Sequence, residues 1–152
     1  MKLDITDKKL INLLQEDSKR TNKQLSLLLN LSVTAVFERI KKLEREKVIT
    51  NYIALVDPKK VAKSFIVFCQ VKLIQHSREY LSVFESEILK LDEVSECFHI
   101  SGDYDYVLKI YVKDMEEYRE FMVNKLTTIK YIGSTQSSFM IGEVKNTAKI
   151  SI

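Results

Sequence analysis

Apolar residues recur at helical spacing three times in the first third of the chain. The segments Leu10–Leu14 and Leu25–Leu29 each place apolar residues along one helical face. A third segment, from Val33 to about Glu46, has Val36 and Leu43 seven residues apart, with polar residues on the other faces. Candidate N-caps precede the three helices: Asp4 or Thr6, Thr21 or Asn22, and Ser32. The tight connection Asn30–Ser32 therefore predicts a helix-turn-helix, although the same spacing also fits a plain three-helix bundle.

The remainder of the chain alternates between strand-like and helix-like patterns. The predicted order is a strand at 65–73, a helix at 78–91, strands at 94–100 and 104–112, a helix from Asp114 to about Leu126, and a strand at 135–144. This order is the βαββαβ pattern of ferredoxin-like domains, with two helices on one face of a four-stranded sheet. The other face carries Val107 and Tyr111, which are too apolar to remain in water. We expect that face to pack against a second copy of the chain.

The segment between these two units, Val48–Val56, is rich in β-branched and aromatic residues. This composition predicts a strand, which is either the wing of a winged helix or the start of a linker. Pro58 follows, and the residue before a proline avoids helical geometry, so a boundary is expected here. The sequence predicts an α+β chain with a helix-turn-helix domain at 1–50, a linker at 51–63 and a ferredoxin-like domain at 64–152.

Charge distinguishes the two units. Residues 1–60 carry 13 Lys and Arg against 8 Asp and Glu, a net +5, and residues 61–152 carry 11 against 13, a net −2. A basic helix-turn-helix suits double-stranded DNA. The slim start of the third helix can enter a major groove, and its later cations can neutralise phosphates. The predicted DNA-binding residues are Asn22, Ser32, Val33, Thr34, Ala35, Glu38, Arg39, Lys41, Lys42 and Arg45.

Other function classes find little support in the sequence. No apolar run approaches the ~20 residues of a membrane span, and the N-terminus lacks a signal-peptide core. The two cysteines, Cys69 and Cys97, lie in predicted strands and read as packed, reduced thiols rather than a disulfide framework. No Gly-rich phosphate loop or nucleophile–base pair is present, so we predict no catalytic residue, no cofactor and no metal. The expected location is the cytoplasm.

Four ordered motifs then resemble the Lrp/AsnC (leucine-responsive, feast/famine) transcription regulators over nearly the whole chain. They are Leu3–Leu10, Leu31–Glu46, Ser101–Lys109, and Thr135–Ser137 followed by Glu143–Lys145. The family usually has glycine where Lys47 stands, so the resemblance implies either that Lys47 adopts an unfavourable positive φ or that the turn differs. It further implies an effector-sensing (RAM) C-terminal domain, dimers formed through the sheets, and assembly of up to four dimers into an octamer. Such dimers bind pseudo-palindromic DNA, with half-sites about one helical turn apart or multiples of that.

The resemblance also implies a small amino-acid effector near the Gly102 loop. A glycine turn exposes backbone N–H groups that bind a carboxylate, and an aspartate accepts an α-ammonium group. The predicted effector-binding residues are His99, Gly102, Asp103, Tyr104, Asp105, Ser134, Thr135, Ser137, Phe139 and Met140. From the residues alone, a plain polar hairpin turn with aspartate as turn former is the favoured interpretation, and it is the resemblance that favours a ligand site.

The function predicted is a DNA-binding transcriptional regulator whose assembly or DNA binding responds to an amino acid. Two alternatives stay open on the sequence alone. One is an architectural DNA-binding protein without an effector, and the other is a small ferredoxin-like enzyme with an appended helical unit.

Overall fold

The computed structural model describes residues 2–152, which form two compact units. The first unit comprises the chain up to Leu55 together with the C-terminal segment Val144–Ile152, and the second comprises Val56–Glu143. The return of the C-terminal segment to the first unit is not foreshadowed by any pattern in the sequence.

Three helices build the first unit: α1 (Ile5–Glu16), α2 (Asn22–Leu29) and α3 (Val33–Arg45). Each begins at a predicted cap, because the side chains of Asp4, Thr21 and Ser32 accept hydrogen bonds from backbone N–H groups in the first turn. The core that the helices share consists of Leu10, Ile11, Leu14, Leu25, Val36 and Leu43. The helix-turn-helix predicted from apolar spacing is thus confirmed.

Left-handed residues end the second and third helices. Asn30, after α2, has φ 52°, and Lys47, after α3, has φ 57°. At Lys47 the backbone forms a Schellman motif, in which Val48 N–H bonds Leu43 C=O at 2.9 Å and Lys47 N–H bonds Glu44 C=O at 3.1 Å. Of the two alternatives for this position, Lys47 adopts the positive φ, and a Cβ in this conformation is strained.

Replacing Lys47 by glycine is expected to raise the free energy of unfolding of the first unit by about 0.5–1 kcal/mol. Glycine removes the Cβ strain, and the greater entropy of the unfolded chain cancels part of the gain. Urea titration followed by helical circular dichroism measures the change. Lys47→Ala is the control, since it removes the charge but keeps the Cβ. Equal effects of the glycine and alanine variants would contradict this explanation.

The strand predicted at Val48–Val56 is wrong. The segment forms neither a helix nor a strand, its backbone pairs with no strand in the described part of the chain, and Tyr52, Ile53, Leu55 and Val56 are exposed. Its β-branched and aromatic composition reflects side-chain preference alone, whereas a strand needs a partner for its backbone groups.

The second unit follows the predicted βαββαβ order. Its elements are β1 (Phe65–Leu73), α4 (Arg78–Ile88), β2 (Val94–His99), β3 (Tyr106–Val112), α5 (Met115–Asn124) and β4 (Ile132–Phe139). The strands form one antiparallel sheet in the order β2-β3-β1-β4. Short 3₁₀ turns at Pro58–Val61 and Leu126–Thr128 flank these elements.

The last strand lies earlier than predicted, at 132–139 instead of 135–144. Ile132 already pairs with Leu73, across an irregularity next to Lys72. The prediction relied on Ile141 and Val144, yet both side chains are fully exposed beyond the end of the strand. Polar residues with small side chains form most of β4, because it needs only one buried face.

Alternation along β3 divides the sheet into two faces, as predicted. Tyr106, Leu108, Ile110 and Val112 are buried on the helix-covered face, where the core of the second unit lies. The other face carries exposed aromatic residues, with Phe68 39% and Phe98 54% exposed. A Lys109–Glu96 ion pair at 3.2 Å crosses it between β3 and β2.

Candidate DNA-binding and effector sites

The outward surface of α3 displays most of the residues predicted to bind DNA. Val36 and Leu43 are buried against the core, so the opposite side of the helix is left to solvent. The exposed predicted residues are Val33, Thr34, Glu38, Lys41, Lys42 and Arg45. Ala35 is half-buried, as is Asn22 at the first position of α2. Ser32 caps α3, and its Oγ accepts a hydrogen bond from Ala35 N–H at 3.1 Å.

Arg39 is turned toward the start of α1 rather than outward. Its Nη1 lies 2.8 Å from Asp4 Oδ2 and 2.5 Å from Asp7 Oδ1, and the Asp7 side chain is only 3% exposed. The hydrogen bonds that its guanidinium donates to the two carboxylates raise the pKa of Arg39. The guanidinium therefore ties the recognition helix to α1, and its contact with phosphate stays a prediction.

The other three cations of α3 differ in their partners. Lys41 Nζ pairs with Glu44 Oε2 at 2.9 Å, and Arg45 Nε lies 3.6 Å from Glu46 Oε1. Within residues 2–152, Lys42 has no ion-pair partner and is exposed. Its charge is thus the one on α3 that the chain itself leaves uncompensated.

Phe37 is an exposed residue of α3 that the sequence reasoning missed. Its side chain is 43% exposed, and the Lys41 ammonium lies 5.8 Å from the centre of its ring. Phenylalanine can contact the methyl group of thymine in a major groove. Its position one helical turn after Val33 was the available signal, but an aromatic residue at that spacing reads more readily as core.

Around the Gly102 loop, Asp105 is the residue with the most contacts. Gly102 has φ 129°, which favours glycine. Asp105 Oδ2 accepts a hydrogen bond from Leu73 N–H at 2.8 Å, and Oδ1 lies 3.0 Å from His76 Nδ1. Partial burial works to raise the pKa of Asp105, but the Leu73 bond and the His76 imidazole outweigh it and lower the pKa overall.

Both histidines of the chain lie beside this carboxylate. The rings of His76 and His99 have centroids 5.5 Å apart, and His99 stacks on Tyr106 at 4.7 Å. His99 belongs to the predicted effector set. His76 does not, because 29 residues separate it from Asp105 and no local pattern joins them.

The start of β4 meets the same end of the sheet. Thr135 pairs with Val71, whose carbonyl also accepts a hydrogen bond from Asp105 N–H at 2.9 Å. Tyr104 extends from the loop to β4, where its hydroxyl donates to Gln136 Oε1 at 2.7 Å. The loop and the first half of β4 thus form one polar surface.

Ser137, Phe139 and Met140 lie farther along β4. The Ser137 hydroxyl is 2.6 Å from the Tyr118 hydroxyl, and Phe139 packs edge-on against the ring of Tyr118 at 5.7 Å. Phe139 pairs with Val67, four residues along β1 from Val71, whose carbonyl accepts from Asp105 N–H, and four residues correspond to about 13 Å. Within one chain, Phe139 therefore lies apart from Asp105, and a ligand site shared by the two stays a prediction.

Two further features of the described residues concern metal-ligating groups and membrane-spanning helices. No group of three or more His, Cys, Asp or Glu side chains within residues 2–152 is arranged to hold a metal ion. No helix in the same range is long and apolar enough to cross a membrane.

Two protein-family models match the two units. One, described as winged helix-turn-helix DNA-binding, matches residues 3–50, and the other, described as Lrp/AsnC ligand binding domain, matches residues 66–150. The chain belongs to the Lrp/AsnC family. The resemblance noted in the sequence motifs is thereby confirmed, and so is the α+β architecture of a helix-turn-helix followed by a four-stranded antiparallel domain.

Curated relatives and solved structures of the Lrp/AsnC family match the whole chain. The leucine-responsive regulatory protein of Klebsiella pneumoniae is 35% identical over 150 residues, covering 99% of this chain and 92% of the relative. That of Escherichia coli K12 is 34% identical over the same length and coverage. The crystal structure of a Neisseria meningitidis transcriptional regulator in complex with L-methionine matches with TM-score 0.93 and 31% identity, covering 98% and 96% of the two chains. An AsnC family regulator from Agrobacterium tumefaciens matches with TM-score 0.92 and 34% identity, covering 97% and 96%.

This Lrp/AsnC protein is therefore a transcriptional regulator with a DNA-binding helix-turn-helix unit and a ligand-binding domain. The family and its relatives are regulators and not enzymes, which excludes the ferredoxin-like enzyme considered from the sequence. Double-stranded DNA is its macromolecular partner.

Proposed function

We propose that this regulator responds to a small amino acid bound at the Gly102–Asp105 loop. The observation that supports this most is the fixed position of Asp105. Its Oδ2 accepts a hydrogen bond from Leu73 N–H, and its Oδ1 contacts His76 Nδ1. In a loop anchored in this way, the backbone N–H groups already have the positions that bind a carboxylate. The loop therefore need not become ordered when the ligand binds. The Neisseria meningitidis regulator, solved with L-methionine, is a relative whose ligand is an amino acid.

The two loop carboxylates take different roles in this proposal. Asp105 is half-buried and occupied by partners of its own chain, so it positions the loop. Asp103 is exposed and next to Gly102, so it accepts the α-ammonium group of the ligand. Thr135 and Ser134, at the start of β4, add hydroxyl groups at the same end of the sheet.

A second copy of the chain covers the open face of the sheet in this proposal. Phe68 and Phe98 are exposed there beside half-buried Val107 and Tyr111, an arrangement that a self-complementary dimer buries. Two recognition helices then read a pseudo-palindromic site, and four dimers assemble into an octamer. Ser137, Phe139 and Met140 contribute to ligand binding only where copies meet. The cytoplasm is the proposed location of the regulator.

Light scattering and DNA binding, each measured with and without every amino acid at millimolar concentration, test the effector proposal. At least one amino acid is expected to change the oligomer mass or the DNA affinity by about fivefold or more. Asp103→Asn should abolish that response while leaving DNA binding without ligand unchanged. Asp92→Asn, an exposed aspartate elsewhere in the same unit, is the matched control. If no amino acid alters mass or affinity, the effector-independent architectural role is favoured instead.

A further inference from the structure

The C-terminal segment Val144–Ile152, here named the tail, leaves the ligand-binding unit and joins the DNA-binding unit. It follows β4 of the second unit in sequence, yet it packs with the first. The chain therefore connects its two units twice, once through the covalent linker near Pro58 and once through the docked tail. Nothing in the proposed effector response requires this second connection.

The contacts of the tail resemble the pairing of a β-strand. Gln15 Nε2 donates to Ile150 C=O at 2.9 Å, and Ile150 N–H donates to Gln15 Oε1 at 2.7 Å. One side-chain amide at the end of α1 thus satisfies both backbone groups of one tail residue. Next to it, Lys149 Nζ lies 3.0 Å from Glu16 Oε1, and this bond lowers the pKa of Glu16.

The tail closes one side of an apolar cleft of about 680 Å³ in the DNA-binding unit. Ala148, Ile150 and Ile152 line the cleft, whereas the residues between them do not. This period of two is that of an extended strand with one face toward the protein. Ile11 and Ile53 are among the residues on the opposite walls, and no residue of α3 takes part. The tail and DNA can therefore be bound at the same time.

Docking is shallow, which makes it reversible. Every tail residue is exposed, with Ile150 71% and Ile152 43% exposed. Ile141, before the tail, and Val144, its first residue, are fully exposed. The Gln15 amide contacts and the Lys149–Glu16 surface ion pair each contribute little, and the high effective concentration of a covalently joined segment helps to keep the tail in place.

We propose that the tail is a reversible second tether, which docks beside α1 as one wall of the cleft and restricts the movement of the DNA-binding unit. The segment that covers this side of the cleft is the chain's own tail, since every second tail residue, Ala148, Ile150 and Ile152, faces the cleft and Lys149 complements Glu16. A docked tail holds the recognition helix in fewer orientations, so that less freedom is lost on binding DNA. Release of the tail weakens DNA binding without changing any residue that contacts DNA.

Amide exchange of the full-length protein, followed residue by residue by NMR, tests the docking. In the wild type, Ile150 N–H is expected to exchange several-fold more slowly than Ile152 N–H. Lys149→Glu should remove that difference. Lys145→Glu, the same charge change in the same tail, should retain it, because Lys145 has no ion-pair partner within residues 2–152. The double variant Glu16→Lys/Lys149→Glu should restore it, since the pair is reversed but intact.

The DNA affinity of the same four proteins tests the tether. Lys149→Glu is expected to raise the Kd for a target site about fivefold above that of Lys145→Glu, and the double variant should return toward the wild-type value. Equal exchange of Ile150 and Ile152 in the wild type would overturn the docking. Equal Kd values for Lys149→Glu and Lys145→Glu would overturn the tether. A wild-type chain that binds no DNA would instead contradict the regulator function, and the exchange measurements would still decide the docking.

Discussion

Replacing Lys42 by glutamate should lower the affinity for a target DNA about tenfold and reduce the salt dependence of binding. Lys42 is exposed on α3 and has no ion-pair partner within residues 2–152, so its charge is available to a phosphate. In a dimer the substitution acts twice, and the slope of log K against log salt should fall by about two. Fluorescence anisotropy titrations at several salt concentrations measure both quantities.

Lys130→Glu is the matched control for this substitution. Lys130 is also exposed and without an ion-pair partner in the described residues, but it lies in the ligand-binding unit. It makes the same change in net charge away from α3, so its effect on affinity should be small. If both variants weaken binding equally, the assignment of Lys42 to the phosphate-facing surface is wrong.

The helix-turn-helix was predictable because its signals are local. Asp4 with Asp7, and Thr21 with Gln24, form reciprocal capping boxes between residues three apart. Apolar spacing within each helix then defines the buried side. Such features can be recognised without knowledge of the rest of the chain. The order of strands and helices in the second unit can likewise be recognised from local patterns.

The ends of β4 and the segment 48–56 were not predictable, since apolar composition does not reveal a missing partner. Ile141 and Val144 extend the apolar pattern past Phe139, yet no strand within residues 2–152 pairs with them. The true start of β4 contains Gly133, where a Cβ would come within 3.3 Å of the Ile74 backbone nitrogen. That close approach depends on tertiary packing, so it cannot be predicted from a single sequence.

The candidate sites depend even more on residues distant in sequence. His76 and Asp105 are 29 residues apart, and Gln15 and Ile150 are 135 apart. Family motifs supplied the loop around Gly102, but they name residue types and not distances. The predicted effector set groups Phe139 with Asp105 as an apolar wall of the pocket, although β1 separates the two within one chain.

Arg39 also contacts residues that are distant in sequence. The substitution Arg39→Met should lower the free energy of unfolding of the DNA-binding unit by about 2–3 kcal/mol. Methionine keeps much of the apolar stem but leaves the buried carboxylate of Asp7 without its cation. The value lies at the low end for broken buried pairs because the Arg39 side chain is 31% exposed. Urea unfolding followed by amide signals of α1 and α3 measures the unit by itself.

A second substitution separates this structural role from a direct contact with DNA. Arg39→Met/Asp7→Leu removes both charges, so most of the lost stability should return, because no buried charge is left unpaired. Asp4→Asn should cost less than Arg39→Met, since the Asp4 side chain is 53% exposed and already solvated. If Arg39→Met instead leaves the unfolding free energy unchanged and weakens DNA binding as Lys42→Glu does, Arg39 is a phosphate contact that turns outward on binding. Recovery of both stability and DNA affinity in the double variant would identify Arg39 as the residue that positions α3 through α1.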